Sequence, residues 1–253
     1  MQTKDNNRNH KIAILIDADN ISAKYFETII NKANEHGRIT AIRVYGDWSK
    51  TQLKPWREPA NKYSLTYVQQ YSNLSNKPNA SDFTLVIDAM DLLYSRKNDA
   101  FCIVSSDSDF TKLVIRLKED DVYLFGMGEE KTPEVLVNSY ERFYYLDKLY
   151  EELNPKKTPK ENLVNATVVK PKGNNSQIQK LSTIVKTLKQ IIGDNAEDDG
   201  WAHWSLVADL LRKRYPGFDP VNYGQKLKAL NFFKGISQFE IKTEGTVTYI
   251  KVK

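Results

Sequence analysis

Ile12-Ala13-Ile14-Leu15-Ile16 runs into Asp17-Ala18-Asp19-Asn20, and Phe101-Cys102-Ile103-Val104 runs into Ser105-Ser106-Asp107-Ser108-Asp109-Phe110. Both are continuous apolar runs closed by small polar residues and followed by helical periodicity. That is the pattern of strands buried on both faces of a parallel sheet. Ligand sites in open α/β sheets lie outside the carboxyl ends of such strands. If these two strands are neighbours, at least three carboxylates converge on one spot. Carboxylates so gathered repel one another unless a cation joins them, and hard oxygen ligands select Mg²⁺ or Mn²⁺. The two segments therefore point to metal-dependent phosphate chemistry.

Working outward, the first 150 residues alternate strand and helix patterns. Strands are expected at 12–17, 39–45, 64–70, 100–105 and 122–125, with a short extended piece at 142–146. Helices are expected at 21–35, 80–95, 108–119 and 133–139. This alternation predicts a parallel sheet covered by helices, each crossover right-handed, and one domain over 1–150. In the helix from Ala80, Ser81 is placed as a cap and Asp82 falls in the first turn, where the helix dipole favours a carboxylate. The alternative role of Asp82 is as a metal ligand. Asp82 and Asp88 are too far out of phase to share one narrow face, so at most one of them points into the acidic cluster.

Residues 151–176 break the pattern. Asn154-Pro155-Lys156-Lys157-Thr158-Pro159-Lys160 and Pro171-Lys172-Gly173-Asn174-Asn175-Ser176 read as a flexible basic linker. A second unit follows over 177–253. Ile178, Leu181, Ile184, Val185, Leu188, Ile191 and Ile192 form an apolar stripe at helical spacing, with Gly193 placed to end the helix. Further helices are expected at about 204–214 and 221–230, and strands from Phe239 and Thr246 flank Thr243-Glu244-Gly245 as a hairpin. Three helices and a hairpin make a small winged helix-turn-helix, a fold that serves nucleic acids and protein contacts alike.

Composition sets the outer bounds. The chain has 253 residues and a net charge of +5, with the basic excess downstream: residues 176–253 hold 12 Lys and Arg against 8 Asp and Glu. A polyanion held by the second half and processed by the first would suit that distribution, although solvated surfaces also carry such an excess. The single cysteine, Cys102, lies in an apolar run, which excludes an intrachain disulfide and reads as an inert thiol. His10, His36 and His203 lack metal-ligand spacing, which argues against zinc. No apolar run approaches the roughly 20 residues that span a bilayer, and Met1 to His10 has no signal-peptide core. A cytoplasmic protein with no membrane partner is the expectation.

Three motif segments carry a family resemblance: Ile14-Leu15-Ile16-Asp17-Ala18-Asp19-Asn20, Lys77-Pro78-Asn79-Ala80-Ser81-Asp82, and Val104-Ser105-Ser106-Asp107-Ser108-Asp109-Phe110. Phe125-Gly126 and Phe143-Tyr144-Tyr145-Leu146 complete the pattern. In order and spacing these resemble the NYN family over residues 11–149, the PIN-like ribonuclease relatives that include LabA-like bacterial proteins. The resemblance implies a PIN-like three-layer α/β/α sandwich and Mg²⁺- or Mn²⁺-dependent cleavage of RNA. Carried over by position, the acidic site would be Asp17, Asp82, Asp107 and Asp109, with Asn20 beside it. The second unit looks like an OST-HTH (LOTUS) domain. Gly200-Trp201-Ala202-His203-Trp204, Tyr215-Pro216-Gly217-Phe218-Asp219-Pro220, Tyr223-Gly224 and Leu227 to Phe233 carry that likeness. Such domains are associated with RNA or protein binding.

In this reading Asp17 and Asp107 ligate one ion, while Asp82 and Asp109 ligate a second, hold its waters or position the attacking water. Asn20 orients water or phosphate, and Ser105 or Ser106 donates to a phosphate oxygen. A capping role for one or two of the aspartates is the alternative, Asp109 being placed like a cap. Lys54, Trp56 and Arg57 interleave charge and aromatic as a platform for single-stranded RNA, unless Trp56 folds back onto the core. Lys77 and Lys112 lie near the acidic motifs as phosphate binders or plain surface. In the second unit Arg212, Lys213, Arg214, Lys226 and Lys228 form the candidate surface for RNA, a protein partner or self-association. Two other functions stay open: a non-catalytic RNA-binding adaptor, and a haloacid-dehalogenase-like phosphatase, whose Asp-x-Asp is imitated by Asp17-Ala18-Asp19.

Overall fold

A computed structural model describes residues 10–71, 80–154, 179–225 and 227–253. The chain divides into two compact units, Met1–Asp147 and Lys148–Lys253.

In the first unit β1 (His10–Asp17) is followed by a 3₁₀ turn (Ala23–Tyr25) and α1 (Phe26–Asn34), then β2 (Gly37–Gly46). A 3₁₀ turn (Thr51–Trp56) runs into α2 (Arg57–Lys62), and β3 (Thr66–Gln69) closes the first half. Then come α3 (Ala80–Tyr94), β4 (Ala100–Val104), a 3₁₀ turn (Ser108–Phe110) and α4 (Thr111–Lys118). β5 (Tyr123–Gly128), α5 (Glu134–Val137) and β6 (Arg142–Tyr145) complete it, and α6 (Leu146–Leu153) runs across the division at Asp147. The six strands pair in the order β3-β2-β1-β4-β5-β6, and every pairing is parallel. Together with the flanking helices this is the expected α/β/α sandwich.

The apolar runs explain the order. Ile12 to Ile16 and Phe101 to Val104 are wholly buried, as only central strands covered on both faces can be. α3 covers β1 and β2, burying Leu85, Ala89, Leu92 and Leu93, and also meets α4. The chain winds outward from β1 through β2 to β3, returns through α3, and winds the other way from β4. The strand order therefore reverses between β1 and β4, and the crevice outside their carboxyl ends is the topological switch point. Ile16 pairs with Val104, which leaves Asp17 level with Ser105.

Several expectations shift. The stretch 51–62, outside every expected helix and strand, is helical, and Trp56 is 1% exposed. It packs edge-on against Phe26, and its carbonyl accepts from Tyr67 Oη, so it is core and offers no stacking platform. Residues 151–153 belong to α6, and 155–178, most of the expected linker, lie outside the described residues. His36 is buried between Tyr123 and Tyr144, each hydroxyl bonded to one ring nitrogen. Burial first, then nearby cations, pushes its pKa down to about 3.

The second unit contains α7 (Leu181–Asn195), β7 (Ala202–His203), α8 (Trp204–Arg214), a 3₁₀ turn (Pro220–Tyr223), α9 (Ala229–Lys234), β8 (Phe239–Glu244) and β9 (Val247–Val252). Its sheet runs β7-β9-β8 and is antiparallel. Ile184, Leu188, Ile192, Val207, Leu211, Phe233 and Ile250 form its core, with Trp204 and Tyr223 packed against it. Gly193 does not stop α7, which runs on to Asn195. The helix expected at 221–230 is split, because Gly224 at φ +74° terminates the first turn in the left-handed region.

Candidate active site

Asp17 ends β1 and is 1% exposed. Its Oδ2 accepts from Asn20 Nδ2 at 2.7 Å and from Ser105 Oγ at 2.8 Å. Its Oδ1 is buried and has no hydrogen-bond partner among the described residues. Burial pushes the carboxyl above its ordinary 3.8, and Asp19 adds to the push. The bonds from Asn20 and Ser105 oppose it.

Ser105 is fully buried. Its hydroxyl donates to Asp17 and accepts from Asp107 N at 3.0 Å. The proton expected to meet a phosphate is spent on Asp17, so Ser105 positions that carboxylate instead. Ser106 faces the next loop, its Oγ accepting from Glu129 N at 2.9 Å and Thr132 Oγ1 at 3.0 Å.

Asp107 sits at the N-cap of the 3₁₀ turn, its side chain accepting from Asp109 N at 2.9 Å. The cap expected at Asp109 therefore belongs to Asp107, because β4 ends early enough to leave it extended (φ −87°, ψ 121°). Asp109 is exposed. Asp82 comes from the first turn of α3, and the cap expected of Ser81 lies outside the described side chains. Burial first, then Asp17, Asp107, Asp109 and Asp19 in turn, pushes Asp82 up to about 6. The acidic residues thus share one field. Asp88 stays out of it, paired with Arg43 at 2.8 Å and accepting from Tyr45 Oη at 2.9 Å.

Asp19 and Lys50 were not among the expected site residues. Lys50 Nζ lies 3.3 Å from Asp19 Oδ1. The Asp-x-Asp after β1 carried the signal for Asp19. The loop after β2, next along the sheet, carried it for Lys50. Lys54 and Arg57 are exposed on the helical stretch after that loop, and Lys112 is exposed in the first turn of α4. Lys77 and Lys226 lie outside the described residues. In the second unit Lys213 pairs with Asp209 at 3.0 Å, Arg212 Nε donates to the Ala208 carbonyl, and Arg214 and Lys228 are exposed.

The donor set is all oxygen, and the unpartnered buried Oδ1 of Asp17 suits a hard cation. Among the described residues no three acidic, histidine or cysteine side chains stand close enough to hold an ion by themselves. Mg²⁺ is commonly held through one or two carboxylates and keeps several of its waters, so Asp17 with water-bridged neighbours is a fitting donor set.

The raised Asp82 sets a sign for stability without metal. Between about pH 4 and 6 the folded carboxyl holds a proton that the unfolded one has lost. Its stabilising contribution, full below the unfolded pKa, is lost as pH rises through about 6. Asp82→Asn is expected to raise metal-free stability more at pH 7 than at pH 4, by on the order of 1 kcal/mol after allowing for partial exposure. Paired urea titrations at the two pH values check this, and an equal effect at both would contradict it.

The NYN domain family matches residues 11–147, and the OST-HTH/LOTUS domain matches residues 178–250. None of the curated proteins matches the chain. Among solved structures, the crystal structure of a protein of unknown function from Vibrio parahaemolyticus is similar, at 18% identity and a TM-score of 0.45. The match covers 56% of this chain and 94% of that one. Among the described residues no helix is long and apolar enough to cross a membrane.

Proposed function

The chain belongs to the NYN family, within the PIN-like nuclease superfamily, and from that premise we propose that it is a divalent-metal-dependent ribonuclease. It would cleave RNA phosphodiester bonds at Asp17, Asp82, Asp107 and Asp109, with Mg²⁺ or Mn²⁺ as the cofactor. The observation that carries this reading is the buried oxygen of Asp17 at the sheet's switch point, which has no hydrogen-bond partner among the described residues. Asp17 also acts with Asp107, Asp109 and Asp19 on the carboxyl of Asp82.

A divalent ion held there neutralises phosphate charge and lowers the pKa of a bound water. The chain's own residues supply the rest. Asp17 offers Oδ1 as the direct ligand, held in place by Asn20 and Ser105 on Oδ2. Asp107, fixed at its cap, and Asp82, in the first turn of α3, would hold the site's waters by hydrogen bonds and take a proton from the attacking one. Asp109 is exposed and would ligate a second ion, hold its waters or position the attacking water. The OST-HTH/LOTUS domain at residues 178–250 would recruit the RNA, with single-stranded RNA as the first substrate to try and a protein partner as the alternative for that domain.

The test is cleavage of a labelled single-stranded RNA with Mn²⁺, Mg²⁺ or EDTA. Wild type should cleave only with a divalent ion, and Asp107→Asn should lose most of that activity. RNA binding without cleavage under any ion would instead support the adaptor, and equal cleavage by both proteins would reject this site.

A further inference from the structure

The loop after β2 brings Lys50 to Asp19, two residues from Asp17. Asp47, which starts it, is 2% exposed, and its Oδ1 accepts from Ser49 N, Ser49 Oγ and Gln69 Nε2 at 3.2, 2.6 and 3.1 Å. Its carbonyl accepts from Lys50 N at 2.9 Å. The backbone of Lys50 is therefore tied to the ends of β2 and β3, while its side chain is a point charge on a flexible four-carbon stem. That side chain is 35% exposed and its partner Asp19 is 21% exposed, so neither is sealed from solvent.

Asp19 adds a smaller push of its charge to Asp17 and, after Asp17, Asp107 and Asp109, to Asp82. An ammonium on Asp19 and a divalent ion among the same carboxylates repel each other. Once such an ion enters, the cheapest destination for Lys50 is another anion within reach of its stem, and a phosphodiester bound at the cluster presents one.

We infer that Lys50 is a tethered counter-cation of the acidic site, holding Asp19 while the site is empty and moving to a non-bridging phosphate oxygen of RNA when a divalent ion and substrate bind. The inference rests on the nuclease-site reading above. It adds a residue that competes with the ion for the cluster and then contacts substrate.

Lys50→Met removes the charge and keeps the stem, and Lys50→Arg keeps the charge. Calorimetric titration of the RNA-free protein with Mn²⁺ should show at least about threefold tighter binding in Lys50→Met, since Asp19 has lost its competitor. Binding of a short labelled single-stranded RNA, measured in Ca²⁺, should weaken about tenfold in Lys50→Met, the order expected for one lost phosphate contact. The slope of log K against log salt should become shallower by about 0.7, and Lys50→Arg should recover most of the affinity. Unchanged Mn²⁺ affinity in Lys50→Met, or unchanged RNA affinity, overturns the inference. A wild type that binds Mn²⁺ and RNA but cleaves nothing removes the nuclease reading, and the two affinities then decide the role of Lys50. A wild type that binds no Mn²⁺ removes both.

Discussion

Asp17→Asn is expected to slow metal-dependent RNA cleavage at least about 100-fold while leaving the metal-free fold as stable as wild type or more so. The rate loss follows from charge. The amide is isosteric, and its oxygen can still accept from Asn20 and Ser105 in place of Oδ2. Its NH₂ would then take the position of the unpartnered Oδ1, where a cation requires an anionic oxygen. A factor of 100 corresponds to about 2.7 kcal/mol of transition-state stabilisation, within what one ligand of a catalytic ion contributes. The stability result follows from burial. The wild-type carboxylate is pushed above its ordinary range by desolvation and by Asp19, so ionising it at neutral pH costs folding free energy. The substitution removes that cost. Against it stands the burial of an amide without partners, about 1–3 kcal/mol, which is smaller than leaving a desolvated charge. Parallel measurement of cleavage and thermal midpoint, with and without Mn²⁺, checks both halves. A variant that cleaves within twofold of wild type would remove Asp17 from the site. A variant with lost cleavage and a collapsed midpoint would make its role one of folding.

Gly128→Ala is expected to destabilise the first unit by about 2–3 kcal/mol and to weaken the site with it. A Cβ at Gly128 would stand 2.7 Å from the Ser105 carbonyl oxygen, 2.7 Å from Thr132 Oγ1 and 2.9 Å from the Phe143 ring. None of these can move cheaply. Ser105 N is bonded to the Met127 carbonyl, Thr132 Oγ1 bonds Ser106 and Glu129, and Phe143 is 1% exposed. The easiest relief displaces Ser105, whose hydroxyl sets Asp17. Gly126 provides the comparison. Its Cβ would meet the rings of Tyr140 and Phe143, at 2.5 and 2.8 Å, and no part of Ser105 is among its nearest atoms. Urea denaturation and Mn²⁺ affinity, measured on Gly128→Ala and Gly126→Ala, separate the two effects. Both variants should lose stability, and only Gly128→Ala should lose metal affinity beyond what its residual folded fraction explains. Equal Mn²⁺ affinity in the folded state of both would break the proposed link from β5 through Ser105 to Asp17.

The strands were legible because their signals are local. An unbroken apolar run such as Ile12 to Ile16 has no stable place except a strand covered on both faces, and the polar residues after it mark its end. The short helices were not. Residues 51–62 contain Pro55 and Pro59 and little periodicity, and their helical turns are held by burial of Leu53 and Trp56 rather than by propensity. Trp56 shows the same limit in side chains. Lysine and arginine around a tryptophan resemble an RNA platform in one dimension, and only its position under Phe26 and Tyr67 makes it core. Gly193 and Gly224 make the pair instructive. Both are plausible helix stops, but α7 passes through Gly193, whereas Gly224 adopts the left-handed conformation that ends its turn.

By itself the sequence determined the α/β alternation, the winged-helix unit, the family and the set of acidic residues at the ends of β1 and β4. Each of these is written in periodicity, in local chemistry or in motif order, and these survive without knowledge of distance. Only the tertiary structure decided which of those residues act on one another. Ser105 and Asp17 are 88 positions apart, and Lys50 and Asp19 are 31 apart. Their meeting depends on β1 and β4 being neighbours at the reversal of strand order and on the β2 loop folding toward them. Whether a hydroxyl is spent on a carboxylate or left for substrate, and which oxygen of a buried aspartate has no partner, are properties of proximity and burial. A one-dimensional pattern does not encode them.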